Sequence, residues 1–400
     1  MNILVISQHY YPENFRINDI TQELVKLGHK VTVLCGYPNY PEGDIYKGYK
    51  GKNAKKHKKE NIKGVNVIRS FEISRGKNAF KLFLNYYSVS LSMKRKAKRL
   101  KEKFDLVLVN QLSPVMQSWA GLSYAKKHKV PCLIYCYDLW PESLMAGGIK
   151  EGSIIFNHYF KVSNKIYKKA DRIMCTSEEF ISYFVDKHGI DMTKLSYLPQ
   201  YSEDLFNEVV IKQDFEGYNY VFAGNIGKVQ SVETIIKAAN IIKDEKDIKI
   251  HIVGDGSNLE KCKNLVSEHQ LDNVIFHGKH KMEDMPKFYN MASAMLLTLS
   301  DNKTISRTLP GKVQTYMAAG KPIIASINGE SATVIQRAKC GIYCEAEDYK
   351  KLAKLMVEFK SIDYKELSIN SRKYYDNNFR KERFMDNLLS IMEEEINAKI

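Results

Sequence analysis

The feature that most constrains this chain is an alternation, met twice, of strand-length apolar runs with segments of helical period. In the first half Asn2 to Ile6 is apolar and β-like, Ile17, Ile20, Leu24 and Leu27 fall at helical spacing, Gly28 stops that helix, and Lys30 to Cys35 is a second apolar run. This is a βαβ unit. Further strands are expected at Val65 to Ile68, Asp105 to Val109, Cys132 to Tyr137, Arg172 to Cys175 and Leu195 to Leu198. After a polar connection from Tyr201 to Glu216 the series restarts, with strands at Tyr218 to Ala223, Ile248 to Val253, Asn273 to His277, Ala294 to Thr298 and Pro322 to Ala325. Apolar strands separated by helices imply mainly parallel sheets covered on both faces. The expected fold class is therefore α/β, with two Rossmann-like, doubly wound domains facing across a cleft, 1–201 and 202–379. A last helix, Arg380 to Ile396, aligns Phe384, Leu388, Leu389, Met392 and Ile396 on one face, which requires an apolar partner.

The length of 400 residues exceeds what one core usually holds, in keeping with two domains. No segment combines the length and apolarity of a membrane span: the longest charge-free run, Leu106 to Ala125, contains Asn110, Gln111, Ser113 and Pro114. A secretory signal is not expected, since Ile3 to Ile6 leads straight into the polar SQHYYPEN loop. Seven cysteines with no Cys-x-x-Cys pair read as reduced core residues of a cytoplasmic protein and argue against a zinc site.

The net charge of +15 is concentrated in one region. Between Lys47 and Lys103 nineteen Lys and Arg face only Glu60, Glu72 and Glu102, a local excess of +16 that leaves the remainder near neutrality. The region comprises KGYKGKNAKKHKKE, read as a loop, and GKNAFKLFLNYYSVSLSMKRKAKRLKEKF, read as a helix with an aromatic first half and a basic second half. That pairing favours an anionic membrane surface or a lipid-linked phosphate over nucleic acid, the competing partner. A merely solvated charged face has the same composition.

Chemistry is expected at strand-end loops of the second half. The stretch RTLPGKVQTYMAAGKPIIASINGE, Arg307 to Glu330, reads as a Pro-Gly break, a helix from about Lys312 to Ala319, Gly320 as its stop and a buried strand. Unpaired N–H groups of the first helical turn, its positive dipole end, and Arg307 and Lys312 suit a phosphate. A second loop holds Gly224, Asn225, Gly227 and Lys228, whose glycines admit a phosphate close to the backbone while Lys228 neutralises it. A third begins at Gly254 like a dinucleotide fingerprint but has Leu259 where the third glycine belongs, so NAD is weakly supported. Each loop alone could be an ordinary tight turn; their recurrence at one sheet edge points to a ligand.

In the first half, HYYPENFR brings Asn14 and Arg16 to the start of the first helix, where Arg16 is placed to reach a diphosphate or is simply a surface arginine. Asp138, in YDLWPES directly after a strand, is a candidate for accepting a proton from an attacking hydroxyl or for orienting a sugar. Glu142, after Pro141, reads more as an early helical residue answering the dipole. No Asp-x-Asp pair occurs, which disfavours a metal clamp on a diphosphate.

With these pieces assembled, the sequence resembles the retaining glycosyltransferases of family 4, of GT-B fold, over nearly its whole length. The likeness is greatest to the bacterial branch that builds O-antigen and capsule, including N-acetylfucosamine transferases. SQHYYPENFRINDI, PNYPEG, YDLWPESL and LPQYSEDLF carry it, with FAGNIGKVQSVETIIKAA, HIVGDGSNLEK, NVIFHG and TLPGKVQTYMAAGKPIIASINGE. The resemblance implies that the second domain binds a nucleotide diphosphate sugar, UDP-linked, through Gly224, Asn225, Gly227, Lys228, Gly254 and Thr315, with Arg16 added. It implies an acceptor in the first domain near Asn14 and Glu142, Asp138, Arg307 and Lys312 at the reaction, no metal or other cofactor, and residues 380–400 returning to pack on the first domain. With the basic region Lys47 to Lys103 set against an anionic inner-membrane surface, the expected location is cytoplasmic, peripherally attached to the inner face of the cell membrane, with no nucleic acid as partner. Two family glutamates are replaced by Arg307 and Thr315, and the Arg and Lys of the usual phosphate loop by Asn225 and Gln230. Three other classes stay open at this point: a nucleotide-sugar epimerase of the same fold, a non-catalytic sugar-nucleotide-binding protein, and a nucleic-acid-binding module.

Overall fold

In the computed structural model, which describes residues 1–76, 78–209 and 217–399, the chain forms two compact units. One contains Met1–Thr176, Phe180–Leu198 and Met385–Ile400, the other Ser177–Glu179 and Pro199–Phe384. Residues 210–216 of the polar connection, and Lys77 ahead of the basic helix, lie outside the described residues.

The first unit is built on eight strands: β1 Asn2–Ile6, β2 Lys30–Cys35, β3 Lys59–Ile62, β4 Val65–Arg69, β5 Leu106–Gln111, β6 Cys132–Cys136, β7 Arg172–Cys175 and β8 Leu195–Tyr197. Their order is β3-β4-β2-β1-β5-β6-β7-β8. All neighbours are parallel except β3 with β4. β1 lies between β2 and β5, with Ile3 opposite Val31 and Leu106. Every residue of β5 and β6 is buried, the unbroken apolar pattern of strands covered on both faces.

β3 corrects the reading of KGYKGKNAKKHKKE as a loop. A short helix, Lys52–Lys56, precedes it, and β3 forms a hairpin with β4 through Lys63 and Gly64, both at positive φ. The lysines masked a strand that is anchored by its partner's arginine. Arg69, buried on β4, donates to Glu60 Oε1 at 2.9 Å, to the Tyr11 carbonyl at 2.6 Å and to the Gly36 carbonyl at 3.1 Å, and lies over the Tyr49 ring.

The second unit carries six parallel strands: β9 Tyr218–Ala223, β10 Ile248–Val253, β11 Val274–Gly278, β12 Ala294–Thr298, β13 Ile323–Ser326 and β14 Gly341–Cys344. They run in the order β11-β10-β9-β12-β13-β14. Alternate residues enter two separate cores. Val221, Ala223, Met295, Leu297, Ile323 and Ala325 pack with the helix Gly311–Ala318, while Tyr220, Phe222, Leu296 and Ile324 pack with the helix Val232–Ile241. That is the two-sided winding the sequence implied. β14 was not anticipated, because it is four residues long, lies at the sheet edge and leaves Tyr343 exposed.

The last helix, Lys381–Asn397, passes from one unit to the other: Phe384 belongs to the second, and Met385 onward to the first. In the first unit it buries Met385, Leu388 and Met392, Glu395 accepts from Arg172 Nε at 2.7 Å, and Lys399 pairs with Asp171 at 2.8 Å. All seven cysteines are buried and free. No helix of the described residues is long and apolar enough to cross a membrane.

Candidate functional site

The carboxyl ends of β9 and β10 in the second unit are joined backbone to backbone. Gly224 N–H donates to the Val253 carbonyl at 2.8 Å, and Ile226 N–H to the Asp255 carbonyl at 2.9 Å. So close an approach needs glycine: Gly254 has φ 143°, and a Cβ there would collide with the Gly224 carbonyl. Gly224, at φ 135°, leaves its α-carbon bare for the side chain of Lys312, whose Cε would lie 2.5 Å from a Cβ. Asn225 closes the loop, its amide donating at 3.0 Å to Gln230 Oε1, which also accepts from Gly227 N–H at 3.2 Å.

Lys312 stands in the first turn of the helix Gly311–Ala318. Its stem is half-buried, but its ammonium is enclosed, 3.7 Å above the Phe222 ring, and has no hydrogen-bond acceptor among the described residues. Burial pushes its pKa down to about 7. A cation over an aromatic face recovers part of its hydration energy, and an anion arriving at the helix start would recover far more.

A cavity of about 540 Å³ opens here, in the size range of small-molecule sites. Gly224, Asn225, Gly254, Lys312 and Thr315 line it, and so do several residues that were not anticipated. Lys279 and His280 follow β11, and Phe206, Met282, Met285 and Tyr289 form an apolar wall with Glu203 beside it, while Asp255 and Gly256 come from the expected loop at Gly254. The lining thus combines cations and bare backbone with an apolar wall. His280 Nε2 is 3.1 Å from the His277 carbonyl, and behind it His277 Nε2 meets His251 Nδ1 at 2.9 Å. Burial lowers the pKa of both of these inner imidazoles, that of His251 to about 4, so the pair stays neutral. The cations directly after β11, in HGKHKM, were a signal available in the sequence.

Other expected residues fall beside the cavity rather than in its lining. Gly227 and the exposed Lys228 belong to the same loop but not to the wall, and Arg307 ends the short helix Lys303–Ser306, also off the lining. Thr315 Oγ1 donates to the Gly311 carbonyl at 2.9 Å, so its hydroxyl faces a ligand as an acceptor.

In the first unit the candidates gather at the carboxyl edge of the sheet. Glu13 organises the loop after β1: it accepts from Asn39 N–H at 2.8 Å, Tyr40 N–H at 2.7 Å and Tyr10 N–H at 3.3 Å, and lies 3.1 Å from His9 Nδ1. Asn14 is exposed on that loop, and Arg16 opens the helix Arg16–Lys26. Asp138 Oδ2 accepts from Ser113 N–H and Oγ–H, each at 2.9 Å. Burial raises its pKa above the usual aspartate value, and the two Ser113 bonds work the other way. Glu142 turns inward instead, buried and bonded to the Tyr183 hydroxyl. Among the described residues no group of three or more His, Cys, Asp and Glu is arranged to hold a metal ion.

Residues 15–200 match the family model described as glycosyltransferase family 4, and residues 209–382 match glycosyl transferases group 1. The probable glycosyltransferase WbjE of Pseudomonas aeruginosa is 25% identical over 277 residues, covering 66% of this chain and 68% of that one. The putative colanic acid biosynthesis glycosyl transferase WcaI of Escherichia coli K12 is 21% identical over 343 residues, 80% of this chain and 82% of its own. Among solved structures, Anabaena HepE in complex with UDP superposes with a TM-score of 0.69 at 12% identity, over 98% of this chain and 100% of HepE. The likeness in shape establishes the GT-B architecture.

Proposed function

Because the chain joins a glycosyltransferase family 4 domain to a glycosyl transferases group 1 domain and so is a glycosyltransferase of the GT-B type, we propose that it moves a sugar from a UDP-linked donor to a lipid-diphosphate-linked saccharide, with retention. The setting proposed is assembly of a bacterial surface polysaccharide such as O-antigen or capsule. The reading is supported by WcaI, whose name refers to colanic acid, and by HepE, which was crystallised with UDP. The donor sugar is a hexose or N-acetylhexosamine, with N-acetylfucosamine among the candidates. An epimerase of the same fold is not favoured by these matches.

One observation carries the donor assignment: the enclosed ammonium of Lys312, without an acceptor among the described residues, at a helix start in a cavity that also has an apolar wall. Cleavage of the bond from the anomeric carbon to the phosphate oxygen leaves its electron pair on the diphosphate while positive charge grows on the ring. Lys312 and the N–H groups of Gly311–Ala318 would stabilise that leaving group, with Lys228, Arg307 and Arg16 as further cations, and the apolar wall of Phe206 and Tyr289 would take the base. Asn225 and Gly227 would shape the phosphate loop, Thr315 would accept from the ribose, and Asp138 would receive or orient the acceptor hydroxyl, with the exposed Asn14 placing the acceptor; Glu142, turned inward onto Tyr183, would act only by holding its own loop. No step in this scheme uses a metal.

The location proposed is the cytoplasmic face of the membrane, and the helix Ala79–Arg99 supports the peripheral attachment alone. Phe80, 69% exposed, Phe83, 47% exposed, and Leu91 lie on the same stripe as Lys94, Arg95 and Lys98. Titration calorimetry with UDP tests the donor site. Lys312→Met should weaken binding at least tenfold while the fold is kept, and Lys312→Ala should lower turnover roughly ten- to a thousandfold. Unchanged UDP affinity in Lys312→Met would refute the assignment.

A further inference from the structure

A second cavity, of about 780 Å³, lies in the first unit and opens toward the amino-terminal edge of its sheet, at the start of β6; its lining includes neither Asp138 nor Arg16. It runs along the helices Ser118–His128 and Ile154–Lys169, from Trp119 in the first turn of the former and Val162 midway along the latter to the ends of both, beside the start of β6. Its floor is apolar, from Trp119, Leu122, Val162 and Ile166. Its rim is basic: Lys94, Lys126, Lys129, Lys165, Lys169 and Lys399 against a single acid, Asp171. That acid is already committed, accepting from Cys132 N–H at 2.8 Å and pairing with Lys399 at 2.8 Å. Of the six lysines only Lys399 has an ion pair among the described residues. Five uncompensated cations around a greasy floor fit a ligand that is anionic at one end and hydrocarbon at the other.

We propose that this cavity binds the headgroup phosphate of an anionic membrane phospholipid, with the first part of an acyl chain lying along Trp119, Leu122, Val162 and Ile166. A soluble phosphate would satisfy the rim but leave the apolar floor in water. Nucleic acid would need open aromatic faces for its bases. The one aromatic ring in this wall, Trp119, is turned edge-on to Tyr87 and covered by Lys94, whose Nζ is 5.6 Å from the ring centre. Lys94 also ends the exposed stripe of Phe80, Phe83 and Leu91, so the cavity continues the surface proposed above to meet the membrane. The inference shares that membrane setting with the proposed function but needs neither donor nor acceptor.

The test uses the full-length protein and vesicles of phosphatidylcholine with or without phosphatidylglycerol. Lys126→Gln/Lys165→Gln/Lys169→Gln should weaken binding to phosphatidylglycerol vesicles on the order of a hundredfold, since each lysine near an anionic surface contributes about 1 kcal/mol. The same charge loss at Lys350, Lys351 and Lys354, exposed on the helix Tyr349–Glu358 of the other unit, should change it little. Phosphatidylglycerol brominated in its acyl chains should quench Trp119 fluorescence, and the quenching should vanish in Trp119→Phe, because the other tryptophan, Trp140, is buried. Equal losses in the two triple variants would mean diffuse charge attraction and overturn the proposal. So would absence of quenching in bound protein, or glycerol 3-phosphate or an oligonucleotide binding the cavity lysines in preference to vesicles. Loss of vesicle binding in Phe80→Ser/Phe83→Ser but not in the cavity variants would overturn the headgroup site and leave the membrane reading of the helix intact.

Discussion

Lys312 and Glu72 are buried ionisable residues whose protonation burial shifts in opposite directions relative to charge balance at neutral pH. For Lys312 the pKa falls to about 7, against an unfolded value near 10.4, so between those limits the unfolded chain binds more protons and stability should rise with pH. A bound diphosphate reverses the shift by favouring the ammonium. Donor binding at pH 8 is therefore expected to take up a proton, seen in calorimetry as a heat that differs between phosphate and Tris buffers, and Lys312→Met should abolish the difference while raising the melting temperature. Glu72 is enclosed near Gln8 and Asn85; burial, with Glu13 adding to it, pushes its pKa up to about 8 although the Asn85 amide donates to it at 2.9 Å. Here the folded chain holds the extra proton, so its contribution to stability is present at acid pH and is lost as pH rises from about 4.3 to 8. Glu72→Gln should flatten that fall in urea titrations across the range. Neither group announces its state in sequence: a lysine after Pro-Gly and a glutamate after Ser-Phe are charged by default, and only enclosure makes them otherwise.

At the scale of elements, the legible parts were those where apolar period and stop residues agreed. β1, β2 and β7 fall on the expected residues, and the helix Gly311–Ala318 with Gly320 behind it lies within one residue of its expected limits. β3 and β14 were illegible because β3, KENI, has one apolar residue and lies in a lysine-rich stretch, while β14 is a short edge strand; pairing fixes their places, β3 with β4 across a tight hairpin and β14 with β13. The candidate cavity was legible in part for the same reason. Glycines and cations at strand ends marked Gly224, Gly254 and Lys312, whereas Glu203 and the wall of Phe206 and Tyr289 are assembled by tertiary packing. The union of the β9 and β10 loops leads to a definite expectation. Gly254→Ala, which forces a Cβ onto the Gly224 carbonyl, should destabilise the second unit by roughly 2 kcal/mol in urea unfolding and weaken UDP binding with it.

For the whole molecule, two sheets, two sets of cores and a helix shared between them mean that unfolding need not be a single event. Leu388→Asp places a carboxylate among the buried residues of the first unit, so calorimetry should show that unit melting early while the second keeps its transition and its UDP affinity. The excess charge between Lys47 and Lys103 was readable from composition, but its division between a tethered hairpin and an exposed helix was not, since charge counts carry no address. The shared helix also bears on how the protein is made. A ribosome finishes the second unit's residues at Phe384 before it adds Met385 to Ile400, the piece that completes the first unit. The portion begun first is thus sealed last, and throughout synthesis its unfinished flank has to wait, open to chaperones, for the closing turns to emerge.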